Sequence, residues 1–406
     1  MIKPEERIVI TGMGVLSPLG NCLEEFHQNL VEGKNGISEI EYPWSTGYKI
    51  NHAGIVRDSA SFHTVDLGQT AQGGRTTGLA TAAVKTALAN AEIEIYPMAN
   101  RIGLVVGTAF GEAPGLEDEI NDGIPTHDKP QSELGRMVRI QESIAENLGI
   151  IGPRHLVTTT CASGNHAISW AADLLKMAQA DVMIAVGADT IGYVDMLGFS
   201  RLLLQAPEKC QPFDLHRKGT ILSEGAGALV LESASFAKRR GADILAEVGG
   251  CGLSCDAAGP FESKASETAS LELAANKALS EARVRPEDVQ YVSAHGSGTR
   301  LNDVKETNFL KRILGEHARN TPVSSIKSML GHAQGAASSF EAIACVLSFK
   351  HNILYPTTNY ETPDPKCDLD YIPNEARESR VETVMSNAFG VGGNNAIIIF
   401  KKWKGN

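Results

Sequence analysis

The residues best suited to chemistry in this chain are a cysteine, two histidines and a lysine, which stand in three separate segments. Cys161 lies where an apolar strand pattern gives way to a helical one. A thiol is a strong nucleophile only as the thiolate, and the positive end of a helix dipole lowers the pKa of a cysteine without a metal. We therefore expect a helix to begin at Ser163 or Gly164, with its first amides directed at the sulfur. A small buried cysteine without a catalytic role is the alternative.

The two histidines lie beside glycines in the second half of the chain. His295 follows an apolar strand pattern and precedes a Gly-Ser-Gly turn, a place where α/β folds carry functional groups. Lys327 and His332 stand five residues apart, ahead of a helical pattern. Taken singly, such a histidine is more often a hydrogen-bonded core residue and such a lysine a surface charge. Their joint occurrence with Cys161 favours a catalytic site.

A glycine-rich loop at residues 386–395 precedes the last strand pattern. Exposed backbone amides in such a loop can stabilise a developing oxyanion, although most glycine-rich loops are only turns. We predict that this loop supplies half of an oxyanion hole.

The composition is that of an ordinary globular protein. The 406 residues are too many for one simple core, and 42% of them are hydrophobic against 21% charged. The net charge of −11 argues against general affinity for nucleic acid, so any acidic partner must dock on a local basic patch. We find no apolar signal core and no apolar run of about twenty residues, and we therefore predict no membrane span.

Seven cysteines are scattered through the chain, and no pair has zinc-site spacing with a second pair behind it. Cys251 and Cys255 are four residues apart but lack a matching His or Cys cluster. We predict reduced thiols in a cytoplasmic protein, and no bound metal.

Strand-like runs alternate with helix-like segments, which predicts right-handed βαβ units and largely parallel sheets covered by helices. The predicted strands are Ile8–Thr11, Ile102–Gly107, Val182–Gly187, Ala228–Glu232, Ile244–Val248, Val289–Ala294 and Ala396–Phe400. The predicted helices are Thr76–Ala91, Asn165–Ala178, Glu267–Glu281, Val304–Leu314 and Ala336–Phe349. The basic stretch at 238–241 is the predicted boundary between two halves, 1–240 and 241–406, with a solvated helix end as the alternative interpretation.

In this order the motifs resemble those of the β-ketoacyl-acyl carrier protein synthases, the elongating condensing enzymes of fatty-acid and type II polyketide synthesis. The resemblance begins with Ile-Val-Ile-Thr-Gly-Met-Gly-Val at 8–15 and passes through the Cys161 motif. It continues with Pro-Phe-Asp at 212–214 and Ser-Glu-Gly-Ala-Gly at 223–227, and it ends with the histidine motifs and the glycine loop. It implies an α/β fold of the thiolase type, with two pseudo-symmetric halves in an αβαβα layered sandwich, the first carrying the nucleophile and the second the histidines.

The resemblance also implies a decarboxylative Claisen condensation. Cys161 would take an acyl chain from the phosphopantetheine arm of an acyl carrier protein, malonyl-acyl carrier protein would lose CO2, and the carbanion would attack the thioester to give a 3-oxoacyl-acyl carrier protein. No cofactor is bound permanently, because the carrier protein supplies the pantetheine arm. The implied partners are acyl- and malonyl-loaded carrier protein and a second synthase chain, in a homodimer or a heterodimer with a related subunit.

Residue roles follow from the same resemblance. His295 and His332 would hold the negative charge formed on decarboxylation, and Lys327 would position the site through an ion pair with Glu341. The other assignments are the backbone amides of Cys161 and Val391 as oxyanion donors, Phe389 in the gate loop, Ser297 and Thr299 for the pantetheine arm, and Asp303 and Asn387 as supporting residues.

The chain departs from the family pattern beside the nucleophile. Where the family has a second phenylalanine that swings over the cysteine, this chain has Val391, which puts that gating in doubt and favours a bulkier or less saturated acyl group. Thr160 replaces a more usual alanine.

Surface segments depart as well. The loops at 123–139 and 204–211 are short, and the segment 59–75 lacks the basic cluster that often meets the acidic carrier protein. Carrier-protein docking is therefore expected to rely on other cations, such as Arg201, Lys209 and Arg300.

Competing functions remain open within and outside this family. The same chemistry serves primary fatty-acid synthesis or a dedicated polyketide or polyene pathway beside a catalytically silent chain-length partner, and Val391 favours the second. A degradative thiolase would carry another catalytic cysteine near its C-terminus, whereas no cysteine follows Cys367. A non-catalytic chain-length subunit would lack the nucleophile, and an initiating synthase would pair cysteine with one histidine and an asparagine.

Overall fold

The computed structural model describes residues 6–41, 50–57, 74–114, 137–256, 264 and 266–405. The strands are β1 Ile8–Leu16, β2 Ile37–Glu39, β3 His52–Gly54, β4 Ile102–Gly107, β5 Arg154–Val157, β6 Val182–Asp189, β7 Gly225–Ser233, β8 Ala246–Cys255, β9 Tyr291–Ser293, β10 Val323–Ser324, β11 Ile353–Leu354, β12 Arg377–Glu378, β13 Thr383–Phe389 and β14 Asn394–Lys402. The helices are α1 Leu23–Val31, α2 Arg75–Asn90, α3 Ile95–Met98, α4 Arg139–Leu148, α5 Ser163–Lys176, α6 Tyr193–Arg201, α7 Ala234–Arg240, α8 Ala269–Ala282, α9 Arg300–Leu314, α10 Lys327–Leu330 and α11 Ala337–His351.

Ten strands form one sheet whose two halves repeat the same topology. The strand order is β10-β9-β13-β14-β8-β1-β7-β6-β4-β5, and β1 and β8 join the halves as an antiparallel pair. Numbered within its own half, each set of five strands has the order 3-2-4-5-1, read from the outer edge to the centre. The three outer strands of each half are parallel, and the central strands are antiparallel.

The two halves of the sheet form two strand layers, and helices pack on both faces of each, because alternate strand residues point to opposite faces. On β6, Met183 and Ala185 pack in one core cluster with α5, whereas Val182 and Ile184 pack in another with α2. Helices α5 and α11 contact both halves of the sheet and form the middle layer. Helices α2 and α4 lie outside the first half, and α8 and α9 lie outside the second. The result is an αβαβα arrangement.

The predicted elements are present, but several strands are longer than the sequence indicated, β1 and β8 most of all. The predicted strand ends at Thr11, before two glycines, whereas β1 continues to Leu16. A Cβ on Gly14 would lie 2.1 Å from the Ala83 carbonyl oxygen of α2, so these glycines allow a helix backbone to approach a strand. Strand β8 has the same close approach to a helix, because a Cβ on Gly252 would lie 1.8 Å from the carbonyl oxygen of Ala274 in α8.

The expectation of largely parallel sheets was wrong for the centre of the molecule. Strand β7 runs antiparallel to both β6 and β1, and β14 runs antiparallel to both β13 and β8. Fully buried strands read as continuous apolar runs in either orientation, so the hydrophobic pattern does not distinguish the two. The basic stretch at 238–241 ends α7, with Gly241 in the left-handed region at φ 75°. Within the described ranges, no helix is both long and apolar enough to cross a membrane.

Candidate active site

Cys161 lies in a single 3₁₀ turn, Thr160–Ala162, between β5 and α5. Helix α5 begins at Ser163, as predicted, and the cysteine is buried, with 3% of its surface exposed. The Ser163 hydroxyl donates to the carbonyl oxygen of Thr160 at 2.7 Å and accepts the backbone N–H of Thr159 at 2.9 Å. The turn that presents the thiol is therefore held by its own hydrogen bonds in the middle layer.

The pKa of the Cys161 thiol is not lowered, contrary to the expectation from the helix start. Burial raises it to about 11, while the backbone N–H of Val391, the charge of Lys327 and the amide of Cys161 itself oppose that rise. Desolvation disfavours the charged thiolate more than these groups favour it. The resting thiol is therefore protonated near neutral pH, and a base must take its proton.

His295 and His332 meet beside each other, although 36 residues separate their motifs in the chain. His295 follows β9 and His332 follows α10, and their ring centroids are 5.4 Å apart with the planes at 80°. Burial lowers the pKa of both imidazoles well below the usual value, helped by the charge of Lys327, so both are neutral near neutral pH. The backbone N–H of Gln334 donates to Nδ1 of His332 at 3.2 Å, which places the proton of that ring on Nε2.

Lys327 begins α10 and is buried behind the histidines. Its Nζ donates to the carbonyl oxygen of His295 at 2.7 Å and forms the predicted ion pair with Glu341 of α11. Each partner has 1% of its side chain exposed. Burial raises the pKa of Glu341 to about 7, against the opposing effect of Lys327.

Two carboxylates that the sequence reasoning treated lightly or missed hold the histidine segment. Glu306 was not predicted, yet it accepts the backbone N–H groups of His295 and Gly296 at 2.9 and 2.8 Å and the side-chain amide of Asn387 at 3.0 Å. Asp303 accepts the N–H of Gly298 at 3.2 Å. Burial raises the pKa of Glu306 to about 7 and that of Asp303 to about 6. The available signal was their spacing of three residues, with Glu306 on the predicted helix Val304–Leu314 and Asp303 directly before it.

Asp189 was also missed, and it joins the nucleophile side of the site to the His332 side. It accepts the Thr108 hydroxyl at 2.6 Å and the backbone N–H groups of Ala109 and Gly335 at 2.8 and 2.7 Å. Burial raises its pKa to about 6. A single acidic residue at the end of a strand gives no sequence signal of such a role.

One cavity of about 370 Å³ brings most of the predicted residues together. The predicted residues that line it are Cys161, His295, Ser297, Thr299, His332, Phe389 and Val391, and its apolar walls are Phe199, Leu202, Leu204, Leu271 and Leu301. Lys327, Glu341, Asp303 and Asn387 are buried behind this lining. A nucleophile, two neutral imidazoles and an apolar space can together hold an acyl thioester and stabilise an adjacent enolate.

The residues predicted to contact the pantetheine arm and those predicted to form the gate all line this cavity. The hydroxyls of Ser297 and Thr299 are 2.9 Å apart. Phe389 ends β13 with its ring centroid 5.7 Å from that of His295, and Val391 follows two residues later. No second aromatic ring stands at the Val391 position.

The expected docking residues have different surroundings. Lys209 forms an ion pair with Glu361 at 2.5 Å, so it is less available to an acidic partner than expected. Arg201 and Arg300 are exposed. The segment 59–73 and residues 123–136 of the short loop lie outside the described residues, whereas Leu204 of the other loop lines the cavity.

Comparisons with known proteins agree with these features. Residues 5–237 match the model of the β-ketoacyl synthase N-terminal domain, and residues 245–361 match that of the C-terminal domain. Nodulation protein E of Rhizobium meliloti (strain 1021) is 38% identical over 405 residues, which covers 98% of this chain and 100% of the relative. The 3-oxoacyl-[acyl-carrier-protein] synthase 2 of Staphylococcus aureus (strain COL) is 36% identical over 416 residues, which covers 99% and 100%.

Two solved structures have the same fold over nearly the whole chain. The ishigamide ketosynthase/chain length factor has a TM-score of 0.89 and 34% identity, covering 98% of this chain and 99% of that one. A type II PKS acyl-carrier protein in complex with its ketosynthase has a TM-score of 0.89 and 30% identity, covering 98% and 100%. These likenesses confirm the expected thiolase-like α/β fold.

Proposed function

This chain belongs to the β-ketoacyl synthase family, and we propose that Cys161, His295 and His332 carry out the family reaction in it. That reaction is the decarboxylative Claisen condensation of an acyl thioester with malonyl-acyl carrier protein, which yields a 3-oxoacyl-acyl carrier protein. The observation that carries the proposal is the meeting of a buried thiol and two neutral imidazoles in one largely apolar cavity.

The first step loads the acyl chain onto Cys161. The sulfur attacks the carbonyl carbon of acyl-pantetheine, the thioester bond to pantetheine breaks, and the thiol proton ends on the departing pantetheine sulfur. Because the resting thiol is protonated, a neutral imidazole nearby serves as the base that carries this proton. The N–H groups of Cys161 and Val391 favour the thiolate, and we assign to them the stabilisation of the tetrahedral oxyanion.

The second step uses the histidines. The bond between the malonyl carboxylate and its α-carbon breaks, CO2 leaves, and the electron pair forms an enolate. The Nε2–H of His332 and an N–H of His295 donate to the enolate oxygen, and removal of one such donor costs about 3 kcal/mol of barrier. The carbanion then attacks the acyl-Cys161 carbonyl, and the cysteine leaves as a thiolate that recovers a proton.

Lys327 supports this arrangement without entering the cavity. Burial keeps both histidines neutral and the charge of Lys327 adds to that effect, while the hydrogen bond of Lys327 to the His295 carbonyl fixes that segment. Glu341 compensates the buried charge.

The partner is an acyl carrier protein in acyl- and malonyl-loaded forms, and its pantetheine arm contacts Ser297 and Thr299. A complex of carrier protein and ketosynthase among the structural relatives supports this partner. A surface pocket of about 400 Å³ lies beside Thr299, and it is lined by the exposed cations Lys218, Arg300 and Lys366. We assign the docking surface for the carrier protein to these three residues. No permanently bound cofactor takes part.

The assembly is a dimer of two synthase chains in the cytoplasm, with residues 1–240 and 241–406 as the two halves of each. The relatives include a 3-oxoacyl-[acyl-carrier-protein] synthase 2 and a ketosynthase/chain length factor. The second supports the alternative in which this chain works only with a catalytically silent partner. The small Val391 side chain in the cavity favours such a dedicated pathway over primary fatty-acid synthesis.

Acyl transfer to Cys161 is tested by mass spectrometry. After incubation with a panel of acyl-carrier proteins, the peptide that contains Cys161 should gain one acyl mass, and Cys161→Ala should gain none. Cys345→Ala, which removes a buried thiol outside the cavity, should label like the wild type. An unmodified Cys161 with acyl groups elsewhere would contradict the proposal.

Decarboxylation is tested separately with malonyl-carrier protein. Cys161→Gln should still release CO2, because the histidines and not the thiol stabilise the enolate, and addition of His332→Ala should lower that release about 100-fold. Release of CO2 at the same rate without His332 would overturn its role.

A further inference from the structure

Thr160, directly before the nucleophile, has a costly backbone conformation. Its φ is 51°, in the left-handed region that β-branched residues rarely adopt. Neighbouring structure must therefore hold it there, and such strain is common at functional sites. The side chain is only partly buried, so core packing alone does not explain the choice of threonine.

The Thr160 hydroxyl joins the nucleophilic turn to the glycine loop. Its Oγ1 is 3.1 Å from the carbonyl oxygen of Val391 and 2.8 Å from that of Thr159, so one hydroxyl proton is shared between two acceptors. A Cβ on Gly390 would lie 2.2 Å from this oxygen. The glycine is thus required for the hydroxyl to reach across to Val391.

Two backbone hydrogen bonds close the glycine loop around Val391. Gly390 donates its N–H to the carbonyl oxygen of Asn394 at 2.7 Å, and Gly393 donates to that of Gly390 at 2.9 Å, so the loop is closed on both sides of Val391. Gly392 and Gly393 follow with φ of 96° and 89°. The N–H of Val391 acts on the Cys161 sulfur, and the carbonyl of the same residue accepts the Thr160 hydroxyl.

We propose that Thr160 is a positioning residue that latches the loop 389–393 onto the nucleophilic turn and thereby keeps the Val391 N–H directed at Cys161. The Thr160 hydroxyl forms the latch contact, and the left-handed backbone conformation of Thr160 directs this hydroxyl towards the Val391 carbonyl. The role in acyl transfer rests on the proposed function, whereas the effect on the reactivity of the thiol does not.

The first test measures thiol reactivity. The variants Thr160→Val, Thr160→Ala and Thr160→Ser are treated with iodoacetamide at several pH values. The rate of Cys161 alkylation in each protein is followed by mass spectrometry of the peptide that contains this residue. Loss of the Thr160 hydroxyl weakens the interaction of the Val391 N–H with the Cys161 sulfur, which favours the thiolate. Alkylation should therefore be severalfold slower at each pH in the Val and Ala variants, and the Ser variant should stay within twofold of the wild type. An unchanged or higher rate in the Ala variant, which relieves backbone crowding, would overturn the latch even if the Val variant misfolds.

Thr159→Val is the matched control. The Thr159 hydroxyl is buried and has no hydrogen-bond partner among the described residues, so its removal should leave alkylation of Cys161 unchanged. A similar slowing in this control would show that any change in the turn is sufficient, and the specific role of Thr160 would fail.

The second test separates acyl transfer from decarboxylation. Thr160→Val should lower kcat/KM for acyl loading about tenfold, with recovery in Thr160→Ser. In a Cys161→Gln background, Thr160→Val should leave CO2 release within twofold, because the histidines stand on other segments. Equal loss of both activities would overturn the latch. Absence of acyl loading in the wild type would instead reject the proposed function. The alkylation rates would still show whether the Thr160 hydroxyl holds the loop 389–393 on the nucleophilic turn.

Discussion

Burial governs the protonation of the individual residues in this site. The helix start predicted a low pKa for Cys161, but the dry surroundings raise it to about 11, and the same surroundings keep both histidines neutral. A protonated thiol beside neutral imidazoles is a pair that can exchange a proton when substrate arrives. The reactivity of the cysteine is therefore a property of its neighbours more than of its own position on the helix.

The neutral state of His332 predicts a pH-dependent stability. In the folded protein its pKa lies well below 6.5, whereas the unfolded chain has the ordinary value, so between pH 6.5 and 5.5 only the unfolded chain takes up this proton. The stabilising contribution is complete above pH 6.5 and is lost as the pH falls. Over that unit the free energy of unfolding should fall by about 1 kcal/mol more in the wild type than in His332→Asn.

Urea unfolding at the two pH values measures this difference. Buried carboxyls with raised pKa, such as Glu306, act in the opposite sense, since stability rises as they bind protons, but they do so in both proteins and cancel from the comparison. The exposed His216→Asn should follow the wild type. Equal losses in wild type and His332→Asn would mean that His332 takes up its proton as readily in the folded protein as in the unfolded chain, which would contradict the lowered pKa.

Short connecting elements position the candidate catalytic side chains, and one buried ion pair ties one of these elements to a helix of the middle layer. Lys327 begins α10 and Glu341 lies in α11, so their contact joins the segment that carries His332 to the middle layer. Both charges are almost completely removed from water, and breaking such a pair leaves an uncompensated charge.

Removal of one partner should therefore cost more than removal of both. Lys327→Met should lower the free energy of unfolding by about 3–5 kcal/mol, and the double variant Lys327→Met/Glu341→Leu should recover most of that loss. Denaturant unfolding measures both values. As a matched surface pair, Lys311 and Asp368 are partly exposed, and Lys311→Met should cost less than about 1 kcal/mol. A double variant as unstable as the single one would contradict the interpretation.

At the scale of the whole molecule, the two halves repeat one topology and share a middle layer. Helix α5 belongs to the first half but packs on β8 and β14 of the second, and α11 belongs to the second but packs on β6 and β7 of the first. Cys161 stands at the start of α5, and the histidines stand in the second half. The site exists only where the halves meet.

We therefore expect neither half to fold alone. Separately expressed residues 1–240 and 241–406 should lack the cooperative thermal transition of the full chain, because each would expose the core face of a middle-layer helix. Calorimetry of the full chain should show a single transition. Two resolved transitions, or a folded isolated half, would show that the halves are independent domains.

Particular elements show what sequence reasoning could reach. The strand Ile102–Gly107 was predicted to the residue, because a short apolar run bounded by polar residues has few alternatives. The predicted ranges of strands β1 and β8 end too early because glycine usually marks a turn, whereas here it allows the backbone of a helix to pack closely against the strand. Asp189 gave no signal, and Thr160 stood out only as a departure from the family pattern, since their roles depend on partners distant in the chain or on an unusual φ.

The sequence by itself determined the chemical inventory of this protein: a thiol at a helix start, two histidines beside glycines, a lysine and a glycine loop, in an order specific enough to indicate the family. Only the tertiary structure decided how these groups behave. The pKa of Cys161, the neutral histidines, the buried Lys327–Glu341 pair and the contact of Thr160 with Val391 all arise from groups far apart in the chain. Desolvation and hydrogen bonding act over a few ångströms in space, and residue types and spacing do not specify which groups come that close.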